Sequence, residues 1–200
     1  MISLSEILHT IAQALMIPCL IILLVLMAGA VWQIGDIVVE YIAERRKHKC
    51  DVPQLLRDVH TAGADGLADL IETSGLLRRQ KKALLELAES RGLPKDTLTA
   101  LAERLLATEE ARNARTTSIT DMIAKLGPMF GLLGTLIPLG PGIVALGQGD
   151  TVTLSESMNV AFDTTIAGVI SAAVASVISH IRKRWYNDDM VSLETLMEAV

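Results

Sequence analysis

Residues 125–184 read KLGPMFGLLGTLIPLGPGIVALGQGDTVTLSESMNVAFDTTIAGVISAAVASVISHIRKR. Two largely apolar arms flank an acidic break, QGDTVTLSES, and the basic tripeptide Arg182-Lys183-Arg184 closes the second arm. Each arm is about 20 residues long, which at about 1.5 Å per residue is enough to cross the hydrocarbon core of a bilayer. A helix that only anchors can be all Leu, Ile and Val. These arms instead carry Thr135, Asp163, Thr164, Thr165, Ser171, Ser176 and many Gly and Ala residues. Polar groups at membrane depth cost free energy unless they face protein or water, so the pattern points to a packed bundle or an ion path.

Toward the N-terminus, Ala14 to Ile34 is a further apolar run of spanning length. Pro18 lies near its start, where a missing N–H does least harm. The run lacks the basic leader and cleavage site of a signal peptide, which predicts a retained transmembrane helix. Trp32 and Tyr41 near its end suit the membrane interface. The basic cluster Glu44-Arg45-Arg46-Lys47-His48-Lys49 follows this run, as Arg182-Lys183-Arg184 follows the last one. The connection between the second and third runs has Asp150 and Glu156 but no Lys or Arg. The positive-inside rule then gives an external N-terminus, three crossings and a cytoplasmic C-terminus in the cell membrane.

Between the first and second spans, VPQLLRDVHTAGADGLADLIETSG contains Pro53, Gly63, Gly66 and Gly75, which predicts short helices with breaks. LLRRQKKALLELAESRG reads as one helix ended by Gly92 and Pro94. From Asp96 to Lys125 there is no strong breaker, and Leu98, Leu101, Leu105 and Leu106 recur at helical spacing, so this helix is expected to run on into the second span. The expected fold class is an all-α membrane protein, with long helices extending into the cytoplasm. Its order is a short external amphipathic start at 1–13, a transmembrane helix at 14–40 and a cytoplasmic helical insert at 41–124. A second transmembrane helix at 125–147, an external loop at 148–157, a third at 158–181 and a cytoplasmic C-terminal helix at 182–200 complete it.

Composition agrees and excludes other classes. Half of the 200 residues are apolar and few are aromatic, and mean hydropathy is positive, as expected of a small helical membrane protein with the lipid bilayer as its surroundings. A formal net charge of −5 argues against a nucleic-acid partner. Cys19 and Cys50 are expected at opposite ends of one helix, too far apart for a disulfide, and no metal-ligand spacing occurs. With no phosphate loop and no nucleophile triad, neither enzymatic activity nor a cofactor is expected.

The hairpin has its own geometry. Counted from Asp150 and Thr151, Thr135 and Thr165 are about 15 residues away in each direction, which puts them at similar depth. Ala161, Thr165, Gly168, Ala172, Ala175 and Ser179 recur at steps of four and three and make a smooth stripe on the third span, fit for close approach of another helix. Gly127 and Gly131 supply a similar short motif on the second span. Pro138 and Pro141 are expected to kink or loosen the second helix toward its outer end. A membrane threonine often only bonds its own helix backbone, and on the residues alone this stands beside a pore-lining role for Thr135 and Thr165.

ITDMIAKLGPMFGLLGTLIPL followed by AFDTTIAGVISAAVASVI resembles the signature of the MotA/TolQ/ExbB family of ion-channel subunits, with the three-span plan similar to its TolQ/ExbB branch. The match runs from near Ile119 to Arg184; it rests on the G-L-x-G-T motif, here Gly131 to Thr135, with Gly134 inside it, and on a threonine followed three residues on by glycine, Thr165 and Gly168. The resemblance implies a ring, typically a homopentamer, around two copies of a single-span ExbD/TolR-like partner whose membrane aspartate takes up and releases the ion. It implies that Thr135 and Thr165 line the lumen. The fold without conduction, a membrane scaffold, is the other reading.

Two points stay open at this level. Asp163 lies inside a span, yet about 200° round the helix from Thr165, so it either lines an outer access path, pairs across a subunit interface, or sits near outer water with little role. The pair Thr164-Thr165 offers oxygen ligands suited to sodium, while the proton is the usual coupling ion of the family. Thr164 and Asp163 therefore stand with Thr135 and Thr165 as ion-pathway candidates.

Overall fold

The computed structural model describes residues 4–45 and 51–199, with side chains for all of these except 5, 44, 45 and 60–65. Arg46 to Cys50, and with them most of the first basic cluster, lie outside the described residues, as do Met1 to Ser3 and Val200. The described chain is helical and without strands: α1 (Leu4–Ala14), α2 (Met16–Glu40) with a π-helical turn Tyr41–Arg45, α3 (Val52–Thr73), α4 (Arg78–Glu89), α5 (Lys95–Gly147) and α6 (Thr151–Ala199). Three stretches among the described residues, Glu6–Ala43, Lys95–Gly147 and Thr151–Ala199, contain segments long and apolar enough to cross a membrane. The chain divides into two units, Met1–Gly35 with Ser118–His180, and Asp36–Thr117 with Ile181–Val200.

The first unit has an inverted exterior. Along α2 only Cys19, Leu23, Leu26 and Ala30 are buried, at steps of four, three and four, which is one helical face. Leu26 and Ala30 cluster with Ile123 and Ala175, and Phe130 and Val174 pack around them. The Cys19 thiol donates to the Phe130 carbonyl at 3.4 Å. Ile17, Ile21, Leu24, Val25, Val31 and Trp32 on the remaining faces are exposed. An apolar outer surface of this kind is what hydrocarbon solvates, and the helix meets its backbone hydrogen bonds internally.

α5 stays helical through Pro128, Pro138 and Pro141. The expected loosening at Pro138 and Pro141 does not interrupt it, as membrane helices tolerate proline where neighbours and local adjustment satisfy the freed carbonyls. The link to α6 is shorter than the loop expected at 148–157. Only Gln148 to Asp150 separate the helices, and Gly149 supplies the one positive φ among the described residues, +75°. Asp150 then starts α6. The amides of Val152 and Thr153 donate to its Oδ1, both at 3.1 Å, and the Thr153 hydroxyl donates to Oδ2 at 2.6 Å. This capping makes 151–157 helical despite their polarity. The Thr153 hydroxyl and amide hold the Asp150 carboxyl below the usual carboxylate range.

The second unit has an ordinary water-excluding core. Leu55, Val59, Leu67 and Ile71 of α3, Leu76, Ala83, Leu84 and Leu87 in and before α4, and Leu193, Leu196 and Met197 of α6 form it. Leu98, Leu101, Leu105 and Leu106 of α5 pack against it. Here the expectation of short, broken helices is corrected: Val52–Thr73 is one helix with Gly63 and Gly66 inside. Pro53 stands in its first turn, where proline is tolerated. Each internal glycine costs about 1 kcal/mol, less than the burial of four large apolar side chains on one face returns.

Candidate functional site

The α5–α6 hairpin closes through missing side chains. A Cβ built on Gly168 would stand 2.5 Å from the Gly127 carbonyl oxygen and 2.8 Å from the Gly131 Cα. One built on Gly127 would stand 2.7 Å from the Gly168 oxygen and 3.0 Å from the Ala172 Cβ. One on Gly134 would stand 2.7 Å from the Thr164 Cβ. Gly127, Gly131 and Gly134 therefore face Ala172, Gly168 and Thr164 in turn. The register puts Thr135 and Thr165 within about one residue rise of the same depth. Ala161, Ala172 and Ala175 are buried with these glycines.

The four ion-pathway candidates separate. Thr164 is only 4% exposed. It fills the notch at Gly134, and its hydroxyl donates to the carbonyls of Val160 and Ala161, each at 2.9 Å. Within the chain it belongs to the helix contact and offers no open wall. Thr135 and Thr165 are half-buried beside that contact. The Thr135 hydroxyl donates to the Leu132 carbonyl at 2.6 Å, and that of Thr165 to the Ala161 carbonyl at 2.9 Å. Each oxygen keeps a lone pair able to accept from a partner or a water. Asp163 is exposed on the surface of the chain.

Two polar arrangements went unseen in the sequence. In the first unit the Ser179 hydroxyl donates to the Asp121 carboxylate, tying α6 to α5. In the second, Arg182 is 1% exposed, with Asp36 at 2.5 Å and Glu40 at 3.1 Å. The Tyr186 phenol donates to Glu40; its own burial first, and that carboxylate second, push its pKa up. Tyr41 stacks on Trp185 with ring centroids 6.1 Å apart. A polar cavity of about 340 Å³ adjoins this group, lined by Asp36, Glu40, Arg79, Glu109 and Tyr186 among others. Arg182 thus leaves the exposed basic cluster to which the sequence assigns it, while Lys183 and Arg184 remain exposed. The available signal was Asp36 and Glu40, four residues apart on one helix face at the end of an apolar run.

A family model described as the MotA/TolQ/ExbB proton channel family matches residues 71–195, more than half of the chain, from the end of α3 through almost all of α6. No curated protein matches the chain significantly.

Proposed function

The chain belongs to the MotA/TolQ/ExbB proton channel family, and from that premise we propose that it is the ion-channel subunit of an energy-transducing membrane motor of the TolQ/ExbB kind. Five copies form a ring around two copies of a single-span partner. The partner's membrane aspartate takes the ion from one side and releases it to the other, and the resulting motion does work elsewhere. The N-terminus is external, the C-terminus cytoplasmic, and the membrane is the cell membrane. The chain catalyses no covalent reaction and carries no cofactor.

One observation carries this reading: the glycine-lined contact of α5 and α6, with Thr135 and Thr165, both half-buried, at nearly the same depth beside it. Close packing of that kind gives a rigid two-helix wall, and the hydroxyls make it polar at the depth where an ion must lose water. The coupling ion is the proton. Burial of Thr164 against Gly134 removes its oxygen from the wall of a single chain, which weighs against a threonine-pair sodium site.

Native mass spectrometry of the complex, drawn gently from its own membranes, tests the assembly. A five-to-two complex with a small single-span protein carrying a membrane aspartate supports the motor; a homo-oligomer without such a partner, across several mild detergents, overturns it. The hydroxyl is tested by Thr165→Val, which keeps the shape. Loss of ion flux with normal assembly is expected. The second reading, a non-conducting scaffold, is favoured by the bonding of both threonine hydroxyls to their own helix, and an unaffected Thr165→Val phenotype would select it.

A further inference from the structure

The second unit carries an apolar groove of about 440 Å³ between the end of α4, the first turns of α5 and the end of α6. Leu87, Leu98, Ala102, Leu106 and Met197 line it, and Glu103, Glu194 and Glu198 stand exposed among them. No described Lys or Arg lines it. The opposite side of α4 has the complementary character. Leu87 belongs to the buried face of α4, with Gln80, Ala83 and Leu84. Counted round the helix from Leu87, Arg78 lies at about 180°, Lys82 at about 140° and Leu85 at about 160°. Arg78 and Lys82 are exposed and Leu85 is half-buried. Among the described residues, none of Arg78, Lys82, Glu103, Glu194 and Glu198 stands in an ion pair.

The two surfaces also stand at one level. α4 runs antiparallel to α5, since Arg79 shares the polar cavity with Glu109 and Asn113, while Leu87 shares the groove with Leu98 and Leu106. Lys82 lies about 8 Å along α4 from Leu87, toward Arg79, which sets it near the Leu106 end of the groove. α6 passes from Leu193 in the cavity to Glu194 in the groove, so Glu194 is near that same end. Copies inserted with one topology are related by rotation about the membrane normal, so each patch meets the next copy at its own height. A contact repeated around a ring needs two different, complementary patches on every chain. Here the order along α4 is Arg78, Lys82, Leu85, Glu89, and along the groove it is Glu194, Glu103, the apolar floor and then Lys95, exposed one turn before Thr99. We propose that the groove receives α4 of a second copy, with Leu85 over the apolar floor and Arg78 and Lys82 against Glu194 and Glu103. This rests on the ring of the reading above and names the cytoplasmic surfaces that close it.

The test uses the full chain in its own membranes, in a background without Cys19 and Cys50. Lys82→Cys and Glu194→Cys are introduced singly and together, and a short, membrane-permeant bis-maleimide is added. On a denaturing gel the double variant should give a ladder of multimers up to the full ring, and neither single variant should give one. Dimers from a single variant mean a two-fold contact, and a cross-link to a different protein means another occupant; either overturns the proposal. Charge exchange supplies a second measurement. Lys82→Glu and Glu194→Lys should each lower the recovered ring about three-fold or more at low salt, with the loss shrinking as salt rises. The two together should restore it to within about two-fold of wild type, and no rescue overturns the pairing. Native mass spectrometry of the same samples separates the two readings. An intact ring without the ladder rejects this inference alone, whereas a chain monomeric throughout rejects the ring.

Discussion

Arg182 is the side chain with most to lose in the second unit. Its guanidinium is 1% exposed and meets two carboxylates, one of them, Asp36, 54% exposed. Truncation to Ala leaves Glu40 and the Tyr186 phenol without their cation in a half-closed site. Breaking a buried pair costs 3–5 kcal/mol, but the exposure of Asp36 discounts that, to about 2 kcal/mol. Thermal unfolding of the purified protein in mild detergent should drop accordingly for Arg182→Ala. Arg182→Lys should recover only part, because a single ammonium does not reproduce the fork that reaches both Asp36 and Glu40. Equal stability of Arg182→Ala and wild type would mean that water already does the guanidinium's work.

At the scale of the element, the hairpin contact is the sharpest prediction. A methyl group on Gly168 would stand 2.5 Å from a backbone oxygen, and no side-chain rotation relieves a clash with backbone. Gly168→Ala should therefore separate α5 from α6, at about 1–3 kcal/mol, and lower the melting temperature and the yield of assembled complex. Gly140→Ala is the matched control: a Cβ there meets nothing within 4 Å, and alanine in a helix interior should be neutral or stabilising by up to about 1 kcal/mol. The cap of α6 gives a pH-dependent expectation. Asp150 has its pKa lowered in the folded chain, so its contribution is complete above the unfolded carboxylate value and is lost as pH falls below about 4 through the folded one. Asp150→Asn should flatten the acid limb of the stability profile, and Asp150→Ala should lower stability at neutral pH as well. An acid limb identical in wild type and Asp150→Asn would assign it to other carboxylates.

For the whole molecule, the proposed topology puts the 148–150 turn outside and the end of α6 inside. In a background without Cys19 and Cys50, Ser155→Cys should react with a membrane-impermeant maleimide applied to intact cells, and Asn187→Cys only after permeabilisation. The reverse pattern would invert the chain in the membrane. α5 and α6 each supply residues to both units, with an apolar exterior in one and a solvated exterior with an apolar core in the other. That change of surface along a single helix is the chain's own record of where hydrocarbon gives way to water.

Much of this was legible before any coordinates. Helix class, three spans, the run of α5 from the polar insert into an apolar segment, and the shared depth of Thr135 and Thr165 all follow from local composition and rise per residue. A bilayer accepts few backbone conformations, and length alone then counts the crossings. What only the tertiary structure decided are pairings between distant residues. Thr164, adjacent to Thr165 and chemically the same, is closed off because the register of two antiparallel helices sets it in the notch at Gly134. Asp121 finds Ser179 fifty-eight residues away, and Arg182 reaches Asp36 across 146. No periodicity within one helix encodes its azimuth toward another, because that angle is chosen by how two complete surfaces fit together.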